Sequence, residues 1–559
     1  MIRMFETNKV RSVNELDGTW KFRTLDISGV YGEELDLNVP GCWDHHPQLL
    51  GYRGSAQYTR MIQVEKTSNI RFQFKGVSHT AKVFFNGREI ARHYNAYTAF
   101  DAIALKVAPG SYELRVEVDN SFGEHSALHI ENDYFTYGGI TRPVAMELIG
   151  DIFIERLQFT PFYKEGQWGA NIEAIIRNVT ATAHRIQVKG SLCGQDLHFA
   201  SYDAPPGRSN SSINVMFPEA KSWSGIDPIL YHLHTYLYSK YEAFPIDDLI
   251  ERVGFRTVST DKGAIQINGE NIILLGFNRH EDHPAVGSAI PPSLMAHDLD
   301  LMADMGVNCV RTSHYPNDER FLDLCDERGF YVWEENHARG LSLDDMRHPL
   351  FAQQCEAVNR EMVEQHVNHP SILTWGILNE CASDTEEGRV HYKRQLEQIR
   401  KLDGSRPLTF ASHHREKELC FDLVDIVSMN LYPGWYTDED PSELADKAKG
   451  WAEAAGGAGK PFILSEFGAD GYYGYRDRNG VRGTEELQAE IIEANLSAYV
   501  SKPYLSGMLI WQFCDCRVTE STGWLLTRAG TQNSKGIVDR YRRPKLAYDV
   551  VRKYFRASR

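Results

Sequence analysis

The sequence has no run of about 20 apolar residues, the length a helix needs to cross a bilayer. Its first residues, MIRMFETNKVRSVNELDG, contain no apolar signal core. Those two absences lead us to expect a cytoplasmic protein with no membrane partner. The nine cysteines (Cys42, Cys193, Cys309, Cys325, Cys355, Cys381, Cys420, Cys514, Cys516) are odd in number, scattered and never spaced C-x-x-C. A disulfide framework or a zinc ribbon is therefore not expected. Basic excess is missing too: 60 Lys and Arg against 76 Asp and Glu leave a net charge of −16. A nucleic-acid binder would carry the opposite balance, so no nucleic-acid partner is expected.

What is present is enough chain, at 559 residues, for three or four domains of about 150 residues each. Helical periodicity is absent up to about Gly150. Ile70–Lys75 and Tyr112–Val118 instead alternate apolar and polar residues, as strands with one wet face do. Asn86-Gly87 between KVFF and REIA is a two-residue hairpin signal. Residues 1–149 are expected to form a jelly-roll β-sandwich. A second alternating set, including Asn171–Ile176 and Arg185–Val188, makes 150–258 an immunoglobulin-like β-sandwich by length.

From 259 to 559 the pattern becomes βα. Eight apolar runs are Ile273–Phe277, Cys309–His314, Phe330–Glu335, Ile372–Glu380, Leu408–Ser412, Ile426–Leu431, Phe462–Glu466 and Met508–Phe513. Amphipathic helical stretches lie between them, among them Leu294–Met305, Phe351–Val367, Glu386–Leu402 and Glu485–Val500, with Pro544–Phe555 as the last. Eight strands each followed by a helix predict a (β/α)8 TIM barrel, whose working residues sit at the C-terminal strand ends. The polar residues gather there: Asn278–His283 after strand one, Arg311–Tyr315 after two, Asn379-Glu380 after four, Asn430–Tyr432 after six, Ser465-Glu466 after seven and Trp511 after eight.

Glu380 and Glu466 come from opposite sides of such a barrel, so the two carboxyls can flank one bond. Glycoside hydrolysis needs that pair: one carboxylic acid protonates the leaving oxygen while one carboxylate attacks or activates water. Mutual repulsion is expected to raise their pKa values and keep the acid protonated.

The stretches GFNRHED (Gly276–Asp282), RTSHYP (Arg311–Pro316), HPSILTWGILNE (His369–Glu380) and SEFGAD (Ser465–Asp470) resemble the motifs of glycoside hydrolase family 2. The resemblance covers nearly the whole chain and implies the order jelly roll, immunoglobulin-like domain, barrel. It implies Glu380 as acid/base, Glu466 as nucleophile of a retaining double displacement, Asn379 on the sugar 2-hydroxyl, and Tyr432 against the nucleophile. Within the family the β-glucuronidase branch is the nearest match, through Asn430–Tyr436 (NLYPGWY) and through Asn533-Ser534-Lys535-Gly536-Ile537 with Arg543-Pro544-Lys545. In that branch the Asn and Lys hold the sugar carboxylate, here Asn533 and Lys535, with Tyr436 near them. A lysine suits an anionic sugar as a point charge.

By the same resemblance Asp133 reaches sugar hydroxyls, His280 lies beside it and Trp511 forms a sugar platform. Two departures stand out. The arginine usually found four residues before the motif Asn is displaced, Ala529 standing there and Arg528 one further away. The span from Glu335 to Asn379 is short, which implies an open mouth. The histidines at 280, 283, 314, 413 and 414 admit a metal cluster, but are read as sugar-binding or buttressing groups, so that no metal and no cofactor is expected. The expectation is an exo-acting β-glucuronidase on small-molecule or oligosaccharide β-glycosides, and a homo-oligomer. A β-galacturonidase or β-galactosidase of the same family is the alternative, and a catalytically silent carbohydrate-binding protein is the alternative of another class.

Overall fold

A computed structural model describes residues 2–26, 28–240, 242–519 and 528–558. The chain first builds a sandwich of a four-stranded and a six-stranded antiparallel sheet. Its core is Trp20, Phe22, Tyr58, Phe72, Phe74, Val83 and Val116, all of them buried. Asn86 and Gly87 both take positive φ (49° and 77°) and join Thr80–Phe85 to Arg88–Tyr94, as the hairpin signal requires. The strand Ser68–Phe74 departs from the expected wet face, because Arg71 is buried on it. The adjacent strand places Glu147 opposite Arg71, at 3.2 Å, and Asp101 lies 2.6 Å away. Ion pairing has turned a solvent face into an internal seam.

The strand Val144–Ile149 closes this sandwich, and Ile152–Lys164 opens a second one of three and five strands. Asn178, at the end of a strand there, is buried and donates to the carbonyls of Thr182 and Ala204. It shapes a turn.

The barrel strands are Leu274–Asn278, Cys309–Thr312, Tyr331–Glu335, Ile372–Gly376, the pair Leu408–Thr409 and Ala411–Ser412, Val427–Asn430, Phe462–Phe467 and Leu505–Ile510, every pairing between them parallel. The sheet path begins at Leu408–Thr409 and ends at Ala411–Ser412, two pieces of strand five separated by Phe410, so the ring closes. Helices begin where the sequence supplies caps and charge. Thr385 accepts from Gly388 N ahead of Glu386 and Glu387, with Arg400 and Lys401 in the last turn of Glu386–Leu402. The N-terminal end of the barrel is plugged by Ile265 and Ile267 of a hairpin turning at Asn268-Gly269, packed with Trp223, Trp333 and Leu509.

Buried arginines tie the layers together. Arg3 pairs with Asp323 of a barrel helix at 2.8 Å, and Arg11 joins Glu147 of the first sandwich to Asp247 of the second. Arg142 reaches Glu281, just after barrel strand one, at 2.9 Å. One partner lost from such a pair leaves a buried charge uncompensated, at a cost of about 3–5 kcal/mol.

Candidate active site

The polar strand ends converge on one arginine. Arg311, at the end of strand two and fully buried, uses its whole fork. Nη1 donates to Asn278 Oδ1 (2.9 Å) and Glu466 Oε1 (2.8 Å). Nη2 donates to Glu335 Oε1 (2.9 Å) and Asn379 Oδ1 (2.7 Å), and Nε to Glu335 Oε2 (2.9 Å). Ends of strands one, two, three and seven, with the segment after four, are thereby locked to each other by charge-assisted bonds. Sequence reasoning quoted this arginine in a motif and gave it no role.

Glu466 stands on strand seven between Arg311 and Tyr432, whose hydroxyl donates to Oε2 at 2.8 Å. Glu380 accepts from Asn430 Nδ2 at 2.8 Å, and Asn430 Oδ1 in turn accepts from Ser465 Oγ at 2.7 Å. Strand four does not carry the chain to Glu380, as the apolar run suggested; it ends at Gly376. Leu378 and Glu380 then take left-handed φ of 47° and 52°. Buried Asn336 accepts from Leu378 N and the carbonyl of Ala411 from Glu380 N, so neighbouring strand ends hold the strained turn.

The carboxyls differ, but not in the expected sense. Burial raises Glu466 to about 7, with Glu380's charge adding to it and Arg311 and Tyr432 opposing. Burial also raises Glu380, yet His413, Arg339 and Asn430 outweigh it and leave Glu380 below its ordinary value. The two carboxyls repel each other, and the net balance leaves Glu466 raised and Glu380 lowered. Two such neighbours titrate as a pair, and the proton they share belongs to both.

A second cluster lies toward the first sandwich. Asp133 accepts from Arg528 (2.6 and 3.0 Å) and from Asn533 Nδ2 (2.8 Å). Lys535 is 1 % exposed; its ammonium lies 3.2 Å from Asp470 and about 5 Å from the ring centres of Trp435 and Tyr436. The displaced Arg528 is therefore inside this cluster, also 3.6 Å from Asp470. Its offset in sequence does not remove it. Asp470, four residues after Glu466, had no role assigned. Tyr436 is 56 % exposed and packs on Tyr432 with ring centres 5.1 Å apart.

His280 bonds the Tyr315 hydroxyl (3.2 Å) and packs on Tyr134 and edge-on to Trp511. Its neighbour in the jelly roll is thus Tyr134, next to Asp133. Trp511 also stacks on His314 at 5.0 Å. Three buried polar atoms here, Asn379 Nδ2, His280 Nε2 and His314 Nε2, find no hydrogen-bond partner among the described residues. Unmatched buried donors and acceptors are costly, and a polyhydroxylated ligand would match them.

The five histidines do not assemble as metal ligands among the described residues. The group whose ligating atoms do come together, Asp323, Asp326 and His369, lies where Arg3 already holds Asp323. No helix is long and apolar enough to cross a membrane among the described residues.

Residues 258–558 match the family described as Glycosyl hydrolases family 2, TIM barrel domain. The structure is similar to a GH2 β-galacturonidase from Eisenbergiella tayi bound to galacturonate, with 45 % identity, 100 % of this chain and 99 % of that one covered, and a TM-score of 0.95. It is also similar to a β-D-glucuronidase of Dictyoglomus thermophilum (25 % identity, 100 % and 98 % covered, TM-score 0.85). The sequence is 25 % identical to the β-glucuronidase of Paenibacillus borealis, over 97 % of this chain and 96 % of that protein.

Proposed function

Since the chain belongs to glycoside hydrolase family 2 and acts on O-glycosyl bonds, we propose that it is a retaining exo-β-galacturonidase. The reading rests on Lys535: its ammonium, 1 % exposed and held by Asp470 at 3.2 Å, sets three donors beside Asn533. A sugar C6 carboxylate could accept from both Lys535 and Asn533 in charge-assisted bonds. Galacturonide is favoured over glucuronide by 45 % identity across the whole chain to the Eisenbergiella tayi protein, against 25 % to the glucuronidases named above. The two sugars differ in the 4-hydroxyl, which is axial in the galacto form; Asp133, fixed by Arg528 and Asn533, is our candidate acceptor for it.

In the first half-reaction Glu466 Oε attacks C1 as a carboxylate. Arg311 and Tyr432 hold it in position. Glu380 gives its proton to the leaving oxygen, the glycosidic bond breaks and a glycosyl ester forms on Glu466. The pair's one proton must therefore stand on Glu380 when the bond breaks. Arg311 and Tyr432, both donating to Glu466, favour that tautomer once substrate oxygen lies against Glu380. In the second half-reaction the Glu380 carboxylate takes a proton from water, the oxygen attacks C1 and the ester breaks. Two inversions give net retention. Asn379 would meet the 2-hydroxyl, where its Nδ2 has no partner among the described residues, and Trp511 with His280 would form the platform.

A panel of p-nitrophenyl β-galacturonide, glucuronide, galactoside, glucoside and mannoside tests this reading. Galacturonide is expected to be cleaved fastest, with β-anomer as first product by NMR. A glucuronide rate tenfold above the galacturonide rate would return the assignment to the glucuronidase branch. Turnover of no member would make the chain a carbohydrate-binding protein.

A further inference from the structure

Strand five ends at Ser412 and hands the chain to His413, whose side chain is 48 % exposed. Its Nδ1 lies 3.6 Å from Glu380 Oε1. That is too long for a hydrogen bond but within reach of an ion pair when the imidazole is charged. Every other side chain facing Glu380 comes from a different element. Arg339, after strand three, has Nη2 4.0 Å from Oε2. Asn430, at the end of strand six, donates an amide, and Arg311, Glu466 and Tyr432 act from further away. Around His413 itself stand His414, with ring centres 4.4 Å apart, then Arg339 and Asp384. His414 is anchored, its Nε2 bonding the Cys381 carbonyl at 2.8 Å.

Arginine keeps its positive charge at any working pH, and the amide stays neutral. His413 alone among Glu380's described partners offers a positive charge that comes and goes with pH and an edge open to solvent. We infer that His413 is a positioning residue that keeps Glu380 in its carboxylate form during the second half-reaction, and so extends that step to lower pH. This rests on the acid/base reading of Glu380.

In the first half-reaction Glu380 must hold a proton. Burial, with His414 and Arg339, keeps the imidazole below its ordinary pKa despite the pull of Glu380 and Asp384. After the leaving group has taken the proton, Glu466 is an ester and no longer charged. Glu380 is then the remaining anion of the pair, and His413 gains a proton from solvent. That proton returns to solvent when Glu380 takes one from the attacking water. No bond is made or broken beyond those of the hydrolysis.

The test uses 2,4-dinitrophenyl β-galacturonide, whose leaving group makes deglycosylation limiting, and follows kcat from pH 4 to 8. His413→Gln is expected to move the acid limb of kcat upward by about one pH unit, the size of one charge at this distance in a watery setting. Intact-mass spectrometry should find the glycosyl-enzyme accumulating below that limb. His413→Lys should restore the parent limb, and kcat/KM for a poor leaving group should stay within about threefold. An unmoved limb in His413→Gln, or equal losses of kcat and kcat/KM at every pH, would overturn the inference. Glu380→Ala is run beside them. Parent-like turnover there sinks the acid/base reading itself, whereas a silent Glu380→Ala with an unmoved His413→Gln limb sinks only the role of His413.

Discussion

The barrel floor and the acid end of the pocket are built on opposite plans. The floor draws Asn278, Arg311, Glu335, Asn379, Asn430 and Glu466 from the ends of adjacent strands and from the turn after strand four, and Arg311 locks four of the others directly. Its positions follow from the ring. The acid end draws Asp133 from the first sandwich, Asp470 from beyond strand seven, and Arg528, Asn533 and Lys535 from the C-terminal segment. Its positions follow from how distant stretches dock. A rigid floor suits chemistry that is indifferent to the sugar; an assembled rim can change its sugar without disturbing the chemistry.

The largest effect expected lies on the floor. Glu466→Ala should lower kcat by at least about 10⁴-fold on every member of the glycoside panel, because the nucleophile is shared by all of them. A loss confined to uronides would erase the division between floor and rim. Lys535→Ala should instead lower kcat/KM about 10–100-fold on uronides, the value of a charge-assisted bond, and less than about threefold on the neutral galactoside. Equal losses on both would show that the lysine supports the fold. Arg528→Ala should cost uronides about tenfold, since Asp133 would lose its two-bond guanidinium partner and keep the Asn533 amide; the same panel checks it.

The smallest effect is a displacement of pH dependence. The reaction needs one proton on the glutamate pair, and the pair's upper ionisation follows the raising of Glu466 to about 7. kcat/KM should therefore fall as pH rises through about 7 and should hold on the acid side until Glu380, lowered from its ordinary value, takes up a proton. Arg311→Gln removes a cation from the carboxyl; beyond the loss of activity expected from unlocking the floor, the alkaline limb of the activity that remains should move upward by about one unit. A downward movement would mean that Arg311 acts through packing alone.

The same contrast governs what was legible in the sequence. Barrel strands read well because each is apolar until a polar end, and Glu466, on its strand, fell where that pattern put it. Glu380 read as a strand end only because Ile377 and Leu378 are apolar and buried; their burial comes from a left-handed turn, which apolar content cannot distinguish from a strand. Arg311 was visible but mute, since an arginine at a strand end reads as solvated until its bonds are drawn. Arg71 misled for the same reason. At the rim, Lys535 and Asn533 were legible through the family resemblance, whereas Arg528 looked misplaced. Distance along the chain says little about reach when the docking partner is 395 positions away.

Asp133 and Asn533, hydrogen-bonded at 2.8 Å, are separated by 400 positions. At roughly 5–20 residues per second, a ribosome needs about 20–80 s to pass from one to the other. Through that interval the nascent chain carries its first sandwich and, late on, both Glu380 and Glu466, with Asp133 still lacking Asn533. The cluster around Asp133 is thus a property of the nearly finished chain. A premature stop between Glu466 and Arg528 would keep both glutamates and remove the residues that complete this cluster.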